Sequence, residues 1–112
     1  MEVARLLNDA GIICICSLIA PMERMRKEAR ERIGEERFFL VHLDAPLDVC
    51  QQRHGKGLYA AVEEGQLRNV PGKTTPYEVP ASPDLRIETQ KLTPEECTER
   101  IIQVIQKKGV LL

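Results

Sequence analysis

The sequence predicts an α/β protein with a parallel sheet and a long loop that closes over the sheet's carboxyl edge. Three observations carry this. Helix-like and strand-like patterns alternate along the chain. Two strand-like runs, Ile12 to Ser17 and Phe38 to Leu43, are largely apolar throughout, as strands covered on both faces are. From His54 to Pro80, glycines and prolines break every pattern over a stretch too long for a plain connection. Strands separated by helices pair in parallel through right-handed crossovers, and about three strands are expected.

The chain opens with Val3, Leu6, Leu7 and Ala10 at helical spacing, ending at Gly11. Ile12 to Ser17 follows as a buried strand. Met22 to Ile33 is dense in helix formers, with a thin apolar stripe of Met22, Met25, Ala29 and Ile33 and with Gly34 beyond its end. Its arginines and lysine, alternating with Glu23, Glu28 and Glu31, read mostly as a solvated face. Phe38 to Leu43 is the second strand, Leu47 to Arg53 a short helix, and Leu58 to Glu64 a helical piece inside the loop, which is expected to act as a lid. Leu85 to Glu88 is the third strand. Thr93-Pro94-Glu95-Glu96 starts the last helix with a capping threonine, proline at the first helical position and glutamate three residues after the cap. That helix turns Cys97, Ile101, Ile102, Val104 and Ile105 inward and stops at Gly109, with Val110 to Leu112 as a short packed tail.

Length and charge narrow the functional classes. At 112 residues there is room for one domain, here residues 1–112, but little for a complete nucleotide-handling enzyme. A net charge of −1 creates no field to gather nucleic acid or an anionic membrane. The Met1 to Asp9 stretch is charged and amphipathic and does not read as a signal peptide, and the longest apolar run, Gly11 to Ala20, is half a membrane span. Cys14, Cys16, Cys50 and Cys97 read as buried small hydrophobes in a reducing, cytoplasmic setting; Cys14 and Cys16 share a strand face and are a poor disulfide pair. His42 and His54 have no metal-ligand spacing with them.

Chemistry is concentrated after the second strand. Arg53, His54 and Lys56 cluster beside Gly55 and Gly57, and cations on a glycine-punctuated loop at a sheet's carboxyl edge suit phosphate or sulfate, or else form a solvated turn. Asp44 could orient a metal or hydroxyl, or serve as a turn residue before Ala45-Pro46. Ser17 has no base in register to make it a nucleophile. No G-x-x-x-x-G-K-[ST] motif occurs. Gly72-Lys73-Thr74 matches only its last three letters, with no strand before it.

Several blocks together resemble adenylylsulfate (APS) kinase over nearly the whole length. They are S-L-I-A-P at residues 17–21, R-x-x-A-R from Arg26, V-x-L-D-A-P-L-x-x-C-x-x-R-x-x-K-G-L-Y from Val41, E-E-G-Q-L from Glu63, Y-E-x-P from Tyr77, and the E-E-C start of the last helix. The resemblance implies a partial P-loop kinase-like, three-layer fold with a lid at about residues 54–80. It implies transfer of the γ-phosphoryl group of MgATP to the 3′-hydroxyl of adenylylsulfate in sulfate assimilation, with ATP and Mg²⁺ as cofactors. Arg53 matches the arginine that stacks on the ATP adenine. Lys56 matches the lysine that meets adenylylsulfate, and Ile19, Ala20, Leu58 and Gly72 join it as substrate-facing positions.

The family's phosphate loop and main Mg²⁺ ligands are expected upstream of Met1, so no catalytic or metal-binding residue is assigned within the chain and the chain alone is expected to be inactive. Ala20 stands where the family has serine, Met25 replaces the aspartate of a D-R pair and leaves Arg26 without that neighbour, His54 replaces an aspartate, and Val70 stands where a phenylalanine covers the substrate adenine. These departures would also suit a non-catalytic, kinase-derived nucleotide-binding or regulatory module. A homodimer, or a partner chain that supplies missing strands, is the expected way to complete the sheet.

Overall fold

A computed structural model of the protein describes residues 1–54 and 57–109. Its elements are α1 (Glu2–Asp9), α2 (Glu23–Ile33), β1 (Val41–Asp44), α3 (Leu47–His54), α4 (Leu58–Glu63), β2 (Leu85–Glu88) and α5 (Pro94–Lys107). The α/β alternation is as expected, and β1 and β2 pair in parallel, with Val41 opposite Leu85 and Asp44 opposite Glu88. The tail Val110 to Leu112 and the pair Gly55-Lys56 lie outside the described residues.

Local signals place most helix ends. Thr93 caps α5: its hydroxyl accepts from the Glu96 amide at 3.2 Å while the Glu96 carboxylate accepts from the Thr93 amide at 2.8 Å, closing a capping box ahead of Pro94. Gly34 ends α2 at φ 100° and Gly11 follows α1 at φ 82°. The observed α3 runs one residue further than expected, to His54, and α4 ends one residue earlier.

The sheet departs from expectation in one respect. Two strands form among the described residues, and Ile12 to Ser17 is not one of them. The segment runs without regular structure, and among the described residues the backbone of Ile13 to Ile19 finds no backbone hydrogen-bond partner. A strand exists only as part of a ladder, and none of the described residues lies alongside to form one. Ile12, Ile13, Ile15, Leu18 and Ile19 are consequently exposed, Ile15 to 88%. The second strand is also shorter than expected, because Phe38 to Leu40 is held by other means. The Leu40 amide donates to the Asp84 carboxylate at 2.8 Å, the Leu40 carbonyl accepts from the Leu85 amide at 3.2 Å, and the Arg30 guanidinium lies 4.9 Å from the Phe38 ring centre.

Burial centres on β2. Among the described residues Ile87 is fully buried, and Ala4 and Val70 are the other buried apolar residues. On α1 the buried residue is Ala4, while Val3 and Leu6 are exposed; on α5, Ile102 is exposed at 41%. The cysteines are not buried either: Cys16 is exposed and the other three are half-buried, with the Cys14 and Cys16 thiols 3.7 Å apart, hydrogen-bonded and not joined in a disulfide. The radius of gyration, 15.8 Å, exceeds the roughly 13 Å of a compact chain of this length. The open face left by Ile12 to Ile19 is consistent with that.

Candidate functional site

The turn from Ile19 to Glu23 is fixed by a buried arginine. Arg26 is 5% exposed, and its fork serves three groups. Nη1 donates to the Ala20 carbonyl oxygen at 2.6 Å, Nη2 to the Glu78 carbonyl oxygen at 2.6 Å, and Nε to the Glu23 carboxylate at 3.0 Å, with Nη2 also facing that carboxylate. The guanidinium holds the Glu23 carboxyl below the usual carboxylate range. Two further bonds close the ring: the Glu23 amide donates to the Glu78 carboxylate at 2.6 Å and the Glu78 amide to the Pro21 carbonyl at 2.8 Å. Ala20 sits at φ 41°, the one non-glycine with positive φ among the described residues.

A second cluster lies at the carboxyl end of the two strands, where parallel sheets present ligands. Arg53, the penultimate residue of α3, donates from Nη1 to the Thr89 hydroxyl at 2.8 Å and from Nη2 to the Thr89 carbonyl at 3.1 Å. The Thr89 amide donates in turn to the Asp44 carbonyl at 2.9 Å, so the guanidinium is oriented by the ends of both strands while its residue stays exposed. The Asp44 carboxylate accepts from Arg86 across the sheet, which makes it part of a structural ion pair. The rings of His54, at the end of α3, and Tyr59, in α4, meet edge to face at 5.6 Å. Burial pushes the Tyr59 phenol up.

Gly72 lies in a third, self-contained loop. The Val70 amide donates to the Thr74 hydroxyl at 2.7 Å, the Val70 carbonyl accepts from the Thr74 amide at 2.9 Å, and the Gly72 amide donates to the Thr75 carbonyl at 2.8 Å. Gly72 turns the chain at φ 82° and a side chain there would meet open space, so the requirement for glycine comes from the backbone. Val70 itself is 5% exposed and is packing, not a platform open to a ligand.

Of the expected site residues, Ala20 is gripped by Arg26, Ile19 is exposed beside it, Arg53 is at the sheet end, Leu58 opens α4 half-buried, and Gly72 sits in its own loop. Lys56 lies outside the described residues. Arg26 has not lost a carboxylate partner with the change at Met25, because Glu23, one turn earlier, supplies one. Glu78 and Thr89 were not singled out from sequence, since each acts through residues 36 to 55 positions away. His42, on β1, is 6% exposed, and its Nδ1 has no partner. Burial pushes its imidazole below the usual histidine range, opposed by Asp44 and aided by Arg86 and Arg26. Among the described residues, no three His, Cys, Asp or Glu side chains converge to hold a metal, and no helix is long and apolar enough to cross a membrane.

A family model described as adenylylsulphate kinase matches residues 1–88. The chain belongs to the adenylylsulfate kinase family. It is 44% identical over 109 residues to an adenylyl-sulfate kinase of Halothermothrix orenii, covering 97% of this chain and 58% of the relative. It is 41% identical over 110 residues to a bifunctional enzyme CysN/CysC of Rhodopirellula baltica, covering 98% of this chain and 17% of the relative. Among solved structures it matches the Mycobacterium tuberculosis APS kinase CysC in complex with AMPPNP and APS with a TM-score of 0.87 at 33% identity, covering 94% of this chain and 61% of that one. The α/β elements, two parallel strands included, therefore form part of the family's kinase fold.

Proposed function

We propose that this chain carries the lid and substrate-facing part of an adenylylsulfate kinase. The observation that carries the reading is the TM-score of 0.87 with a family structure whose ligands are an ATP analogue and adenylylsulfate. In this reading Ile19, Ala20, Lys56, Leu58 and Gly72 face adenylylsulfate, Arg53 faces the ATP adenine, and residues 54–80 form the lid, in a cytoplasmic enzyme of sulfate assimilation.

The reaction forms a bond from the substrate 3′-oxygen to the γ-phosphorus and breaks the bond from that phosphorus to the β–γ bridging oxygen, releasing ADP and a proton. Such transfer depends on positioning and charge neutralisation more than on covalent help from the protein. The residues present support the positioning half. The planar Arg53 guanidinium, oriented by Thr89, offers a face for a purine. The clamped Ile19-Ala20 turn offers an apolar wall and a fixed backbone, and a closing lid excludes water.

The charge-neutralising half is not matched. The sequence has no phosphate-loop motif, and the described residues supply no carboxylate set that fits Mg²⁺. No step is assigned to the metal, and the 112 residues alone are proposed to bind nucleotide without transferring phosphate. Isothermal titration of the chain with adenylylsulfate tests this: saturable binding that weakens at least tenfold in I19D supports the assignment, and the absence of any binding contradicts it.

The exposure of Ile12, Ile13, Ile15, Leu18 and Ile19 favours an accompanying proposal, that further polypeptide, a second copy or a partner chain, supplies strands beside this segment. Amide exchange across residues 12–19 that slows in an assembled form resolved by size exclusion supports it.

A further inference from the structure

We propose that Arg26 is a positioning residue for adenylylsulfate, acting by holding the Ala20 peptide at positive φ and tying it to Glu78. This rests on the reading that Ile19 and Ala20 line the substrate pocket, and it assigns the residue that sets their conformation. It also makes the substrate-lining turn and the far end of the lid parts of one unit.

The backbone supplies the reason a holder is needed. Ala20 at φ 41° is in a left-handed region that is sterically unfavourable for an L-residue, and a residue before proline, here Pro21, prefers extended backbone at negative φ. Such a conformation persists only when its surroundings over-determine it. Arg26 is the side chain that does so, because its Nη1 takes the Ala20 carbonyl at 2.6 Å from a position 5% exposed.

The same fork reaches the carbonyl of Glu78, while the Glu78 amide holds the Pro21 carbonyl and the Glu78 carboxylate holds the Glu23 amide. Glu23 neutralises the guanidinium from one turn away, so the buried charge is paired. Three separate stretches, residues 19–21, the start of α2 and the Tyr77-Glu78 return of the lid, meet on one guanidinium. Without it, Ala20 is free to relax to negative φ, and the Ile19 side chain moves with it.

The test uses the 112-residue chain and its variants R26K and A20G/R26K. Amide exchange at Glu78 reads the clamp without any ligand, and calorimetric titration with adenylylsulfate reads the pocket. Lysine keeps the charge but cannot offer a planar fork to two carbonyls and a carboxylate. R26K is expected to speed exchange at Glu78 by about tenfold and to weaken adenylylsulfate by about tenfold, since one bond of this kind corresponds to about that factor. Glycine takes positive φ unaided, so A20G/R26K is expected to regain most of the affinity.

Unchanged exchange and affinity in R26K overturn the proposal. A loss of affinity that A20G fails to rescue also overturns it, because a purely structural arginine would behave that way. If R26K does not fold, A20V stands in: it leaves every Arg26 partner in place while disfavouring positive φ, and a native circular dichroism spectrum with weakened adenylylsulfate supports the role, whereas unchanged affinity overturns it. A wild-type chain that binds no adenylylsulfate contradicts the proposed function, and the exchange measurement then decides on the clamp by itself.

Discussion

Arg30 Nη2 donates to Asp84 Oδ2 at 2.7 Å, joining α2 to the residue before β2 across 54 positions of sequence. Asp84, with its side chain 11% exposed, also accepts from the Leu40 amide at 2.8 Å and from Lys108 Nζ at 2.6 Å. One carboxylate thus ties α2, the entry to β1, β2 and the end of α5. Burial alone would raise its pKa, but the Leu40 amide, Lys108 and Arg30 outweigh that and hold it below the usual aspartate range. D84A is expected to destabilise the chain by about 2–3 kcal/mol in urea unfolding, since two cations and an amide lose their acceptor. A depressed carboxylate contributes stability above its unfolded value of 3.8 that is lost as pH falls through the lower folded value. D84N is expected to remove that part of the acid dependence.

His42 titrates in the opposite sense to a paired histidine. It is buried with an unpartnered Nδ1 and a pKa below the ordinary 6.5, so the unfolded chain takes up its proton first as pH falls. Stability from the neutral imidazole is full above pH 6.5 and declines below it as the pH drops through the folded pKa. Urea midpoints between pH 7.5 and 5 are expected to fall in the wild type and to fall less in H42F, which keeps a ring without the charge.

Ile87 is the one large side chain with no exposure among the described residues, and it packs at the middle of the only ladder they form. I87A is expected to cost about 2–5 kcal/mol and I87V about 0.5–1.5 kcal/mol in the same unfolding measurement. A substitution of equal size at exposed Val3 is expected to change stability by no more than about 0.5 kcal/mol.

The Thr93 capping box sets the start of α5 by local bonds alone. T93A is expected to cost about 1 kcal/mol and to speed amide exchange at Glu96, whose N–H donates to the lost hydroxyl.

What the sequence revealed and what it hid divides along the range of the interactions. The α5 start and β2 were readable because Thr93-Pro94-Glu95-Glu96 and Leu85 to Glu88 carry their signals within a few residues. The Ile12 to Ser17 run has the composition of a strand, but strand formation is decided by neighbours, which no local pattern reports. Arg26 reads as one more cation on a charged helix, yet its spacing of four from Met22 and three from Ala29 puts it on the apolar stripe of α2. That spacing was the available signal. Its partner Glu78, 52 residues away, was not predictable from it. Arg53 stood out as one of a cluster of cations after the second strand, its facing of ATP and the place of Ala20 were reached through the family's motifs, and the structure adds the groups that orient them, Thr89 and Arg26.

The most direct test of the proposed division of labour is reconstitution of phosphoryl transfer. The 112-residue chain is mixed with the part of the Halothermothrix orenii relative that its sequence does not cover, and transfer of labelled γ-phosphate from MgATP to adenylylsulfate is followed. The expected result is turnover in the co-eluting mixture and none above background with either polypeptide alone. Turnover by the 112-residue chain alone, or a co-eluting mixture that stays inactive, would contradict it.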